Sequence, residues 1–247
     1  MLLEEPKEAT ISLVTDRRFH EIYPATSFLL LFIVAFFLLE IIQSVKVAGE
    51  ISDSLLTAGV DPTAVHILGS VSRSDLERGQ YWRLIAAAFL HGGVLHLLFN
   101  GLMLVDLGRY CEPLLSSWKF VVVYGASALL GSLLHCLATP APMVGASGAL
   151  CGLFGLLLVY SIRERHPELR DGLVRSILVI ALMSYALPNV AHFAHLGGFL
   201  AGGALGFTVR DYIASRAAER WRYPGYVVAA IGVACLGFAL WNYFAYR

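Results

Sequence analysis

The apolar residues of this chain arrive in runs too long for the core of a soluble domain. A helix needs about 20 such residues to cross the hydrocarbon of a bilayer, and Thr26 to Val47 is one run of that length. Leu84 to Leu107 is a second, with the Gly92-Gly93 pair expected to delay its regular helix. Phe120 to Ile162 extends for 43 residues but is broken by ATPAPM at Ala138–Met143, so it reads as two spans. Ser176 to Thr208 would make a single helix of about 50 Å at 1.5 Å per residue, too long for one crossing. Pro188-Asn189 offers it a turn in the middle. Tyr226 to Phe244 closes the series. The composition agrees: 57% of residues are hydrophobic, mean hydropathy is +0.69, and charged residues are held to 15%. The expected fold is all-α, a polytopic membrane helix bundle of six core spans plus a C-terminal seventh.

Charge sets the expected orientation. Arg163, Arg165, Arg170 and Arg175 precede the 33-residue run, and Arg210, Arg216, Arg220 and Arg222 follow it. Arginine at both ends assigns both to the cytoplasmic side, so this segment goes out and returns. Lys7, Arg17 and Arg18 likewise place the N-terminus inside, and seven spans leave the C-terminus outside. The expected division is a short cytoplasmic tail at 1–25, a six-span core at 26–210, and a linker with the seventh helix at 211–247. Within the core, the outer connection at 50–83 is expected to lie partly in the membrane interface, because LLTAGV and AVHILG are too apolar for a plain loop. The tail is too acidic for a transit peptide and lacks the layout of a cleaved signal. With a formal net charge of zero, nothing in the charge balance suggests nucleic acid, and no such partner is expected. Cys111, Cys136, Cys151 and Cys235 have no paired spacing, so neither a disulfide framework nor a structural zinc is expected.

Polar side chains inside spans are costly and mark function or pairing. Here they are His91, His96 and Asn100 in the second span, Ser147 opening the fourth, and His192 and His195 opening the sixth. On the orientation above, all of them fall in the outer half of the bilayer. Each has a plainer use when taken singly: His96 and Asn100, spaced i, i+4, could hydrogen-bond between helices, Ser147 could be a packing residue, and His195 an interhelical donor. The histidines also raise a metal site, but Glu40 is the one carboxylate at that depth, and the spacings match no familiar zinc helix. No metal or other cofactor is expected.

The small residues argue for chemistry. Gly148 and Gly152 on the fourth span, and Ala194, Gly198, Gly202 and Gly206 on the sixth, form ridges at four-residue spacing that let membrane helices approach closely. Close approach can bring Ser147 within reach of His195. A serine hydroxyl is a weak nucleophile until a base takes its proton, and His195 is the base at the right depth. Asp106 lies at the wrong end of its span, and Glu40 has no evident link to His195, so a dyad is expected rather than a triad. His96, Asn100 and the Ser147 backbone N–H would serve the oxyanion. GASGA is not the elbow of soluble hydrolases, since Ala149 stands where the second glycine would be.

These residues resemble the rhomboid family of intramembrane serine proteases. The likeness is carried in order by Trp82-Arg83, FLHGGVLHLLFN at Phe89–Asn100, GASG at Gly145–Gly148 and AHLGG at Ala194–Gly198, and runs from about Trp82 to Gly206. It implies Ser147 as nucleophile and His195 as base, with His96, Asn100, Gly145 and Gly148 around the oxyanion and substrate. Trp82, Arg83, His91, Glu112, Gly198 and Gly202 are implied as structural support. One departure is Cys151, where rhomboids often carry an aromatic residue under the histidine. The implied substrates are single-span membrane proteins, cut in the outer half of their span, with the enzyme in the bacterial cytoplasmic membrane and its oligomeric state open. The rival readings are a catalytically inactive rhomboid-like protein that binds membrane clients, and a transporter or channel. The serine and histidine that inactive relatives typically lose are both present, and no chain of charged residues crosses the membrane.

Overall fold

A computed structural model describes residues 19–48, 59–186, 190–208 and 222–245. Most of the expected tail, the start of the outer connection, the Pro188-Asn189 turn and the 211–221 linker lie outside the described residues. Seven helices of 17 or more residues account for most of the rest: α1 Pro24–Ala48, α2 Val94–Leu115, α3 Ser117–Ala138, α4 Ser147–Arg163, α5 Pro167–Ala186, α6 His192–Thr208 and α7 Arg222–Ala245. Among the described residues the only strand-like pairing is an isolated antiparallel bridge between Val71 and Met143. By length and composition α1, α2, α3 and α7 can each cross a membrane, and α4 is a shorter apolar helix.

The second span differs from its apolar run. Arg83 to Gly93 form a four-residue helix at Arg83–Ala86, a 3-10 turn at Ala87–Phe89 and an extended link. The regular helix starts only at Val94 and continues two turns past Leu107. Its far end carries Glu112, which is 3% exposed. One carboxylate oxygen of Glu112 accepts from Ala25 N–H (2.8 Å) and Ser117 Oγ (2.6 Å), and the other accepts from Thr26 N–H (2.9 Å) and Thr26 Oγ (2.6 Å). An anion at the unpaired amides of a helix start is favourable. Glu112 thus fastens the start of α1 to the α2–α3 turn.

α6 packs most extensively on α4 and then on α3. Glycine makes this possible. A Cβ at Gly198 or Gly202 would collide with the backbone carbonyl of Gly148 or Gly152 respectively, and one at Gly131 of α3 would lie 2.7 Å from the Ala194 carbonyl oxygen. α1 joins this trio through Leu29, Ile33, Phe36 and Phe37. α5 packs chiefly on α4, and Leu173 and Ser184 are its buried residues.

From residue 59 onward the outer connection is folded rather than loose. Asp61 caps the helix Pro62–Leu68, and Ser72 with Asp75 forms a capping box on Arg73–Glu77. Arg73 donates to the Cys136 (2.9 Å) and Leu137 (2.7 Å) carbonyls at the end of α3. Arg83 is 5% exposed and donates to Gln80 Oε1 (2.6 Å), Ser70 O (3.0 Å) and His66 O. Trp82 stacks under the Arg83 guanidinium and meets Phe238 of α7 edge-on at 4.8 Å. These two residues hold the loop, and α7 leans on it.

Candidate active site

The three helices that carry the in-span polar residues begin at the same end of the bundle. α4 starts at Ser147 itself, with Ala146 as its cap residue. Its first helical bond runs from Leu150 N–H to Ala146 C=O (3.0 Å), so the amides of Ser147, Gly148 and Ala149 precede it. The strand of chain that leads into Ser147 is pinned from the outer connection. Met143 exchanges both backbone bonds with Val71 (2.8 and 3.2 Å), and Gly145 N–H donates to Ala87 C=O at 2.8 Å.

Across the glycine crossing of α4 and α6, Ser147 Oγ lies 2.7 Å from His195 Nε2. Both side chains are half-buried, as is His96. The other ring nitrogen of His195, Nδ1, is 3.1 Å from Ser184 Oγ on α5. Ser184 was not singled out in the sequence. It sits in an apolar stretch next to Pro188, and a lone serine there carries no signal until α5 is laid beside α6.

His96 reaches the same place from α2. Gly145 has φ +124°, and a Cβ there would lie 2.8 Å from His96 Cε1 and Nε2 and 3.8 Å from Ser147 Oγ. His91, fully buried, meets the His96 ring at 5.1 Å between centroids. The His91 N–H donates to Glu40 Oε1 at 2.8 Å, which links α1 to the turn ahead of α2. Glu40 had no visible role in the sequence, because its partner is a backbone amide 51 residues away.

Asn100 stands one turn deeper than His96. Its Nδ2 donates to the His96 carbonyl (2.9 Å), and its Oδ1 is buried without a partner among the described residues. A primary amide has two N–H donors, so one is left for another acceptor. Of the support residues, Gly198 lies beside Gly148 at the crossing and Gly202 one turn further on. Trp82 and Arg83 lie in the outer connection, and Glu112 is at the far end of α2. Cys151 is buried on α4, and all four cysteines are free.

The arrangement offers a hydroxyl, a base in contact with it, and donors from a helix start and an imidazole. Comparison with known proteins adds the family. The Rhomboid domain matches residues 78–212, more than half of the chain. "Rhomboid protease GluP" of Bacillus subtilis (strain 168) is 33% identical over 179 residues, covering 71% of this chain and 32% of that protein. "RHOMBOID-like protein 5" of Arabidopsis thaliana is 39% identical over 166 residues (64% of this chain, 53% of the relative). "Rhomboid-like protease 3" of Toxoplasma gondii is 34% identical over 148 residues (56% of each). The match thus spans from about a third to just over half the length of these relatives. The matched stretch holds the crossing of α4 and α6 and every in-span histidine described above, and the chain, an integral multi-pass membrane protein, belongs to the rhomboid family.

Proposed function

We propose that this protein is an intramembrane serine endopeptidase that cleaves single-span membrane proteins. The observation that carries the reading is the 2.7 Å contact between Ser147 Oγ and His195 Nε2, held at a helix crossing that only glycines allow. His195 takes the hydroxyl proton as Ser147 Oγ attacks the peptide carbonyl, and the tetrahedral oxyanion is met by pre-placed donors. His96, the free N–H of Asn100 and the amides at the start of α4 are those donors. Collapse breaks the C–N bond, with His195 returning the proton to the leaving amine. Water, deprotonated in turn by His195, then hydrolyses the acyl-enzyme. No cofactor takes part.

In this reading all seven long helices cross the bilayer, six as the core and α7 as an addition, with the N-terminus cytoplasmic and the C-terminus outside. The dyad then lies in the outer half of a bacterial cytoplasmic membrane, where outer water reaches it. The test is a fluorophosphonate probe together with cleavage of a single-span substrate in proteoliposomes. Wild type labels at Ser147 and cuts, and Ser147→Ala does neither while inserting and melting normally. Cleavage at the wild-type rate by Ser147→Ala would remove the assignment, and a folded wild type that neither labels nor cuts would favour the inactive client-binding reading.

A further inference from the structure

We infer that Ser184 is a positioning residue for the catalytic base, extending the Ser147–His195 contact into a hydrogen-bonded chain across α4, α6 and α5 with no proton passed to Ser184. This rests on the protease reading above. For Nε2 of His195 to accept the Ser147 proton, the ring must carry its own proton on Nδ1, and that proton needs an acceptor. Ser184 Oγ lies 3.1 Å from Nδ1.

The setting of Ser184 shows that the contact is selected by the fold. It is 8% exposed, whereas its neighbours Leu182, Met183 and Tyr185 are 68%, 51% and 86% exposed. On α5 a single serine therefore faces inward within a stretch of apolar residues that face out, and what it meets is the imidazole. In soluble hydrolases a buried carboxylate fixes the tautomer. At this depth a carboxylate would carry a large desolvation cost, whereas a neutral hydroxyl accepts the same N–H without burying a charge. Orientation without charge also sets the size of the effect. Losing a neutral hydrogen bond costs roughly a factor of ten or less, far below the loss of the base itself.

The experiment compares Ser184→Thr with Ser184→Val, which share a shape and differ by the hydroxyl. Expected for Val is a fall in kcat and in the rate of fluorophosphonate labelling at Ser147 of roughly tenfold, with KM for a single-span substrate unchanged. Thr restores both rates. A role in packing alone would instead leave Thr and Val alike. Labelling of Ser184→Val at the wild-type rate overturns the assignment of Ser184 alone, whereas wild type that does not label at Ser147 overturns the dyad beneath it. Should neither variant fold, the wild-type protein still decides. The 15N shifts of the His195 ring, identified by their loss in His195→Ala, are expected to show the proton on Nδ1, and a proton on Nε2 overturns the proposal.

Discussion

Gly145 combines two demands that other residues cannot meet together. Its φ of +124° is a conformation that side chains resist, and the space where a Cβ would sit is taken by the His96 ring. Gly145→Ala is therefore expected to cost about 1–3 kcal/mol of stability from backbone strain. It should also lower the labelling rate of the molecules that remain folded, because His96 is displaced; thermal melting with active-site titration measures both. Asn100 makes a different case. Loss of one oxyanion donor typically costs about 10²–10³ in kcat, so with Asn100 in the proposed donor role Asn100→Ala should slow turnover yet leave slow labelling of Ser147, while His195→Ala removes labelling altogether. Complete loss in both variants would show that the amide's work is to hold the His96 carbonyl.

At the scale of elements, the site depends on two contacts between backbones and on a folded loop. Gly202, about two turns along α6 from His195, packs on the Gly152 carbonyl with no room for a side chain. Gly202→Leu must push α6 away from α4, so activity is expected to vanish although Ser147 and His195 remain; disulfide trapping between cysteines placed on α4 and α6 would report the separation. The outer connection turns on Asp75. Burial by itself would raise its pKa, but hydrogen bonds from Ser72 and Arg78, with Arg83 nearby, outweigh burial and bring it below the ordinary carboxylate value. A depressed folded-state pKa stabilises above the unfolded value, about 3.9, and that stabilisation is lost as pH falls through the folded value. Asp75→Asn should therefore cost about 1–3 kcal/mol at pH 7, with the gap to wild type closing below roughly pH 4. Melting curves in detergent from pH 7 to 3 test the sign: a gap that widens on acidification refutes it.

For the whole molecule, the proposed protease function turns on where a single-span substrate would be cut. An intact helix hides its carbonyls in internal hydrogen bonds, so a substrate must unwind to present one to Ser147. Glycine or proline in the outer half of its span lowers that cost. Cleavage is expected within or just outside the outer part of the substrate's span, releasing the outer domain, and a span made all of leucine is expected to resist. Mass spectrometry of the products decides it. A cut at the cytoplasmic end would invert the proposed orientation, and equal cleavage of the leucine span would dismiss unwinding as the requirement.

Hydropathy alone determined that this chain lies in a membrane as a helix bundle, because lipid leaves a backbone no other way to satisfy its hydrogen bonds over runs of this length. Local spacing also disclosed the glycine ridges, since small residues at four-residue intervals have one strong use between apolar helices, and from them came the expectation that Ser147 meets His195. What sequence could not supply were partners separated by long stretches of chain and set by packing. Glu40 reaches a backbone amide on another element, Asn100 turns to the carbonyl of its own helix, and Arg83 is spent on loop carbonyls. The start of α2 at Val94 is where the Gly92-Gly93 pair led one to expect it; what only the structure adds is that the apolar stretch before it is buried as a turn, with Gly145 bonded to Ala87. Ser184 is the clearest instance. Nothing in its neighbours along the chain distinguishes it from a packing serine, and only the packing of α5 on α4 brings its hydroxyl beside the imidazole of α6. Periodicity is a property of one helix, whereas a hydrogen bond between helices depends on which faces meet, and that is decided only when the bundle closes.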